Sequence, residues 1–243
     1  MSKMWKNRNN QDITAGIFLL LTGINLIAAF LTRLEFLSGV NNIADDLEYL
    51  YDNRFILQFN SFLWLGASIL MVFASASLHS SMSTYKTVSA YLTGFFFLLA
   101  SFMFIMVCIK GLGILDLIKY LEARVSDLSE NDYFKAGLIS LSKERDVFIK
   151  MSAATTGFGL FSTGIFSLKT RKILLFHGIL CIIAGLALPF VILFYPESPF
   201  LNFALISSLF VFILVSIRLA FHGFVRTNKI RSRVIKKRKA EIL

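Results

Sequence analysis

The chain is poor in the residues that build loops and covalent staples. It has three Pro, two Cys and three His among 243 residues, and only 16% of it is charged. With so little Pro, and no Gly-rich stretch in its place, separate domains strung on spacers are excluded. Cys108 and Cys181 fall at different depths of two apolar runs. That argues against a disulfide and leaves them as small buried thiols. Acids are missing where they would matter most. No Asp or Glu lies inside the apolar runs, although a proton-coupled or ion-coupled pump usually needs a buried carboxylate. Also absent are a phosphate loop, a dinucleotide fingerprint, a Gly-x-Ser-x-Gly elbow and a His-Glu-x-x-His zinc motif. The sequence carries no catalytic signature and implies no cofactor.

What is present is apolar surface. Hydrophobic residues make up 56% of the chain, with 26 Phe among them. A helix needs roughly 20 mostly apolar residues to cross the hydrocarbon core, because it rises about 1.5 Å per residue. Six runs meet that length: Ile13–Leu31, Ile56–Leu78, Val88–Ile109, Phe148–Leu168, Ile173–Tyr195 and Phe200–Phe224. A membrane barrel would instead show short alternating segments, which are absent. The expected fold is all-α: a polytopic bundle of six transmembrane helices over residues 1–224, followed by a basic tail, 225–243.

The charges between the runs orient the bundle. Lys3, Lys6 and Arg8, then Lys86, then Lys169, Arg171 and Lys172 fall on one side. The tail adds Arg226, Lys229, Arg231, Arg233, Lys236, Lys237, Arg238 and Lys239 to the same side. The opposite side holds Glu35, Asp45, Asp46, Glu48, Asp52 and Glu197 with only Arg33 and Arg54, plus a nearly balanced long loop. Basic loops stay cytoplasmic, so both termini are expected there, in the cell membrane. The net charge of +10 is thus a topology signal rather than a nucleic-acid footprint. Arg226 to Lys239 should also attract anionic lipid. The first run follows basic residues as a signal peptide would, but it is too long for a cleaved one and lacks a cleavage site.

Two longer outer segments, about 32–55 and 110–147, are expected to form helical caps on the extracytoplasmic face. In the second, Ile114, Leu117, Leu121, Val125 and Leu128 make one apolar stripe, with Asp116, Lys119, Glu122 and Asp127 off it. Leu117, Leu121 and Val125 are its candidate partner-facing residues. Small residues at helical spacing mark the expected helix contacts: Gly16 with Gly23, Ala153 with Gly157 and Gly164, Gly178 with Gly185, and Ala67 with Ala74. Pro189 is expected to kink its run. Lys110, Lys150 and Arg218 sit near run ends, where they can snorkel.

His79, His177 and His222 all fall toward the cytoplasmic side. Convergent His residues could ligate a metal or haem iron. No Cys, Asp or Glu accompanies them at matching depth, so they remain weak metal candidates and read first as interfacial side chains.

Several stretches carry a family resemblance. They are Ala15 to Thr22, Tyr49 to Asn53, Val88-Ser89-Ala90-Tyr91, and Arg145-Asp146 followed by Gly157-Phe158-Gly159-Leu160-Phe161. Over about Asp12 to Tyr195 the chain resembles a family of prokaryotic six-helix membrane proteins catalogued as domain of unknown function 4386. Many members carry a Pro-Arg-Trp element between the fourth and fifth spans, where this chain has Lys169-Thr170-Arg171-Lys172. The resemblance implies the six-span architecture and no reaction.

Three classes of function follow. One is a non-catalytic accessory or scaffold subunit meeting protein partners, or a second copy of itself, through its cap or tail. Another is a transporter or channel for a neutral solute, using residues such as Thr22, Asn25, Asn60, Thr93, Thr156 and Ser208. The third is a membrane redox protein built on the His residues. Missing motifs and missing buried acids favour the first.

Overall fold

In lipid every backbone N–H and C=O must be satisfied within the protein, and a chain this apolar does so by coiling. The computed structural model describes residues 3–32, 52–83, 85, 87–124, 132–170, 175–195 and 199–242. The described residues form six α-helices and no strand: α1 (Lys3–Leu31), α2 (Arg54–Ser83), α3 (Val88–Arg124), α4 (Asp132–Thr170), α5 (Leu175–Phe194) and α6 (Pro199–Ile242). Five carry segments long and apolar enough to cross a membrane: Asn10–Leu31, Arg54–Met82, Val88–Tyr120, Leu175–Phe194 and Phe200–His222.

The helices form a ring. Each packs on the next, and α6 closes against α1; the α5–α6 seam is the slightest in the ring. Phe97, Phe104, Phe166, Phe212, Trp64 and Met71 fill the middle. Trp64 leans on Phe104, and Phe97 meets Phe212 edge-on with ring centres 5.8 Å apart. The outside is apolar too. Phe55, Phe62, Phe95, Phe102, Phe203 and Phe210 are all more than half exposed or nearly so. Apolar residues on both inside and outside suit a bundle solvated by hydrocarbon.

The expected fourth run, Phe148–Leu168, is helical but lies in the one helix below the hydropathy of a crossing segment. Its neighbours explain its composition. α4 is wedged between α3 and α5. Ser152, Thr156, Gly157, Gly159, Ser162 and Thr163 are all buried there. Several hydroxyls bond back to their own helix: Thr156 to Ser152 O, Thr163 to Gly159 O and Ser167 to Thr163 O, at 2.7–2.8 Å. A Ser or Thr that donates to the preceding turn can be buried at small cost.

The expected glycine contacts are present. A Cβ on Gly164 would fall 2.6 Å from Gly178 O, and one on Gly185 would fall 2.4 Å from Phe161 N and 2.6 Å from Gly157 O. The backbones of α4 and α5 therefore touch along a line of glycines two turns apart. Gly16 does the same for α1 and α6, where a Cβ would meet Ala220 N at 2.5 Å. Pro189 lies inside α5, which continues through it, and its Cδ packs on the Gly157 face.

One acid beside the first apolar run is buried rather than solvated. Asp12 is the third residue of the apolar segment of α1 and is fully buried, with Ser81 of α2 donating a hydrogen bond to it. It looked like a flanking charge because the apolar run begins at the next residue. The outer cap differs in continuity. Residues 110–124 prolong α3 without a break, and 132–147 open α4. The face of α3 that is buried there runs through Gly111, Ile114, Leu115 and Ile118. Leu117 sits at its edge against Gly137 of α4. The expected cap over 32–55 lies outside the described residues except for its ends, as do the side chains of Leu121 and Val125 and those of the tail.

Candidate functional site

Polar chemistry inside the bundle gathers at two levels. The level expected to be extracytoplasmic centres on Asn60 of α2, which is 1% exposed. Its amide N–H groups donate to Ala29 O and to Thr32 Oγ1, the latter at 2.9 Å. Its Oδ1 accepts from Trp64 Nε1 at 3.1 Å and from the Arg145 guanidinium of α4. An amide offers two donors and an acceptor with two lone pairs, and all four positions are engaged. One side chain thus ties α2 to α1 and α4. Arg145 is itself 5% exposed. A buried charged group is expensive, so it survives where hydrogen bonds hold it. Gly111 of α3 makes room for Ser61 beside it, since a Cβ there would collide with Ser61 Oγ, while its 3.5 Å to Arg145 Nε would be an ordinary contact.

Around this lock lie two ion pairs. Lys110 of α3 pairs with Glu144 of α4, and Lys150 with Asp146 within α4 at 2.7 Å. The hydrogen bond and positive charge of Lys110 hold the Glu144 carboxyl below the usual carboxylate range. Lys110, expected to snorkel, has instead a partner one helix away.

Beneath the lock is a cavity of about 50 Å³. All six helices wall it, through residues such as Phe30, Trp64, Phe104, Ile149, Leu188 and Leu209. Three hydroxyls, of Ser152, Thr156 and Ser208, are the polar part of the lining. Each donates to a backbone carbonyl, of Ile149, Ser152 and Ala184 respectively. Such a cavity is suited to apolar contents rather than to water.

The other level, expected to be cytoplasmic, holds Asp12 with Ser81 and the three His residues. The structure does not bring the three together. His79 of α2 meets Tyr91 of α3 at a tilt of 55°, with ring centres 5.4 Å apart, beside Gly94. His177 lies on α5, which is not a neighbour of α2, and sits close enough to Arg218 of α6 for the two to interact electrostatically. His222 is one turn beyond Arg218 on α6. Among the described residues no group of three or more His, Cys, Asp or Glu is placed to hold a metal. Cys108 and Cys181 are free and buried.

Sequence reasoning named Asn60 only as one of several uncharged polar residues, and it placed Arg145 outside the spans. The available signal was Arg145 itself, one turn before the run Phe148–Leu168, with an Asn in an apolar run to receive it. Comparison of the chain with models of known families, with curated proteins and with solved structures gave no match.

Proposed function

We propose that this membrane protein is a non-catalytic accessory or scaffold subunit of a membrane assembly. The observation that carries the reading is the saturation of Asn60. The most polar point in the bundle spends all its hydrogen-bonding capacity on joining helices, with Arg145 as one of the joined groups. A group fully engaged in this way locks the bundle and has nothing left for a substrate.

In this reading α4 is the sixth span, sheltered by α3 and α5, and both termini are cytoplasmic. The split of Lys and Arg between loops supports that orientation. The outer extensions of α3 and α4 form the cap, and its far end together with the basic tail is where partners meet the bundle. A place in the six-helix family of unknown function that the sequence resembles is part of this proposal. The test is a native-membrane pull-down with the chain as bait. The expected result is a reproducible set of co-purifying membrane chains in fixed ratio. Recovery of this chain alone, intact and at full yield, would sink the reading.

A second reading is favoured by the cavity that all six helices wall. There the protein binds or passes a neutral, apolar solute. Trp64 lines that cavity, so a bound apolar quencher should reduce its emission, and Ser208→Phe should abolish the effect.

A further inference from the structure

We propose that two copies of this chain pair in the membrane along the seam between α1 and α2, with the Asn25 amides of the two copies hydrogen-bonded to each other beside Gly66. The inference rests on α1 and α2 being spans. It needs neither their orientation nor the scaffold reading.

Asn25 is half-buried on α1, and no hydrogen bond reaches its amide from any described residue. The amide stands against Gly66 of α2. A Cβ placed on Gly66 would find the amide nitrogen, oxygen and carbon as its nearest atoms, at 3.6–3.9 Å. The level is deep. Gly66 is twelve residues from one end of the apolar segment Arg54–Met82 and sixteen from the other. At about 1.5 Å per residue that is roughly 18 and 24 Å, near the middle of a hydrocarbon core about 30 Å thick. An amide without a hydrogen bond is costly there, because no water arrives to supply one. Asn10, Gln11, Gln58 and Asn202 also reach the outside, but each stands within about a turn of a segment end, where water serves. The lipid side of the seam offers nothing polar. Leu21 and Ile24 of α1 and Phe62 and Ile69 of α2, all within about a turn of Asn25 or Gly66, are 42–53% exposed.

The seam cannot close further to satisfy the amide itself. Phe18 of α1 stacks on Phe73 of α2 two turns to one side, and Asn60 of α2 bonds Thr32 two turns to the other. Between these pins Gly66 leaves the wall of α2 without a side chain, which is how helices admit a neighbour in lipid.

Hydrogen bonding selects the occupant. A carboxamide carries donor and acceptor side by side, so a second carboxamide completes it with two N–H···O bonds in a closed pair. Copies of one chain enter the bilayer in one orientation. A two-fold axis along the membrane normal therefore sets Asn25 opposite Asn25 at equal depth, and two-fold pairing is the commonest closed assembly.

The test reconstitutes donor- and acceptor-labelled full chain in phosphatidylcholine vesicles and follows energy transfer as protein is diluted into lipid. Wild type is expected to titrate as a monomer–dimer equilibrium. Asn25→Leu should lower the association constant by about fivefold or more, the scale of one or two interhelical hydrogen bonds in lipid. Gly66→Leu, which fills the gap and leaves the amide, should do likewise, and Asn25→Gln should keep part of the association. Melting of Asn25→Leu in micelles should be unchanged or raised, since an unbonded amide leaves an apolar surface. Lowered melting with unchanged association would make Asn25 a support within one copy and overturn the proposal. So would wild type that stays monomeric at every dilution, association that does not stop at two copies, or equal association in wild type and both leucine variants. If a leucine variant does not fold, cross-linking decides. Ile24→Cys should form a disulfide between copies, and Ile183→Cys, exposed on α5 across the ring, should not; any other pattern refutes the pairing. Monomeric wild type whose Asn25→Leu variant loses a different chain from the pull-down would give the seam to another protein's helix and refute the second copy. A pull-down that recovers no other chain sinks the scaffold reading and leaves this pairing standing.

Discussion

Replacing Gly185 by Ala is expected to destabilise the bundle, against the usual direction of such a change. Within a helix Ala is favoured over Gly by roughly 1 kcal/mol, so an open site gains from the exchange. At Gly185 the added Cβ would stand 2.4 Å from Phe161 N and 2.6 Å from Gly157 O. Both obstacles are backbone and cannot swing aside. Ordinary carbon contacts start about 1 Å further out, so α4 and α5 must part by roughly that much along a seam that glycines close at two levels. Forcing atoms into a packed interior costs about 1–3 kcal/mol, and rigid neighbours put this site at the upper end. The net loss should be about 1–2 kcal/mol. Gly66→Ala is the matched control. Its Cβ would meet nothing nearer than the Asn25 side chain at 3.6 Å, so it should be neutral or stabilising by up to about 1 kcal/mol. The assay is unfolding of the full chain in mixed micelles, by heat and by increasing SDS fraction. If Gly185→Ala proves as stable as Gly66→Ala, the close approach of α4 and α5 is refuted.

Other expectations follow from named contacts. Asn60→Ala removes an acceptor from the buried Arg145 and Trp64, and should cost about 2–3 kcal/mol in the same assay; a loss under 0.5 kcal/mol would mean that the lock is not one. Asp12→Asn keeps an oxygen for Ser81 and should be mild, whereas Asp12→Leu removes that buried acceptor and should cost about 1–3 kcal/mol. Glu144 has its folded-state pKa depressed by Lys110, so its contribution is full above the ordinary carboxylate pKa and is lost as pH falls through the lower folded value. Melting should therefore weaken on acidification, by less in Lys110→Gln than in wild type; equal pH profiles would remove the pair from the account. Reporter fusions at the C-terminus and within residues 126–132 should report opposite compartments, and a shared compartment would break the six-span topology.

Much of the architecture could be read from spacing alone. Glycines seven residues apart at Gly157 and Gly164, and again at Gly178 and Gly185, announced a contact line, because only a repeated lack of side chain on one face allows two backbones to touch. The runs themselves were legible because lipid imposes a length. What escaped was everything that depends on a second helix. Asp12 lies beside an apolar run and resembles a flanking charge until Ser81, remote in sequence, is placed against it. Lys110 looked like the end of a span, yet α3 goes on, since Glu144 of α4 neutralises the charge that seemed to stop it. Arg145 required Asn60, and nothing local to either residue says so. The low hydropathy of α4 likewise has its cause in α3 and α5, which keep its hydroxyls away from lipid.

The closure of α6 on α1 also sets a timetable for biogenesis. Gly16 and Gly23 find their counterparts, Ala220 and Ile213, at the far end of the chain. A ribosome adding about 5–20 residues per second needs on the order of ten to forty seconds between the two. Throughout that interval the bare glycine stripe of the first helix faces lipid or whatever else occupies the translocation site. A chain halted before α6 would present the stripe permanently, giving quality-control machinery a concrete mark by which to tell an unfinished bundle from a finished one.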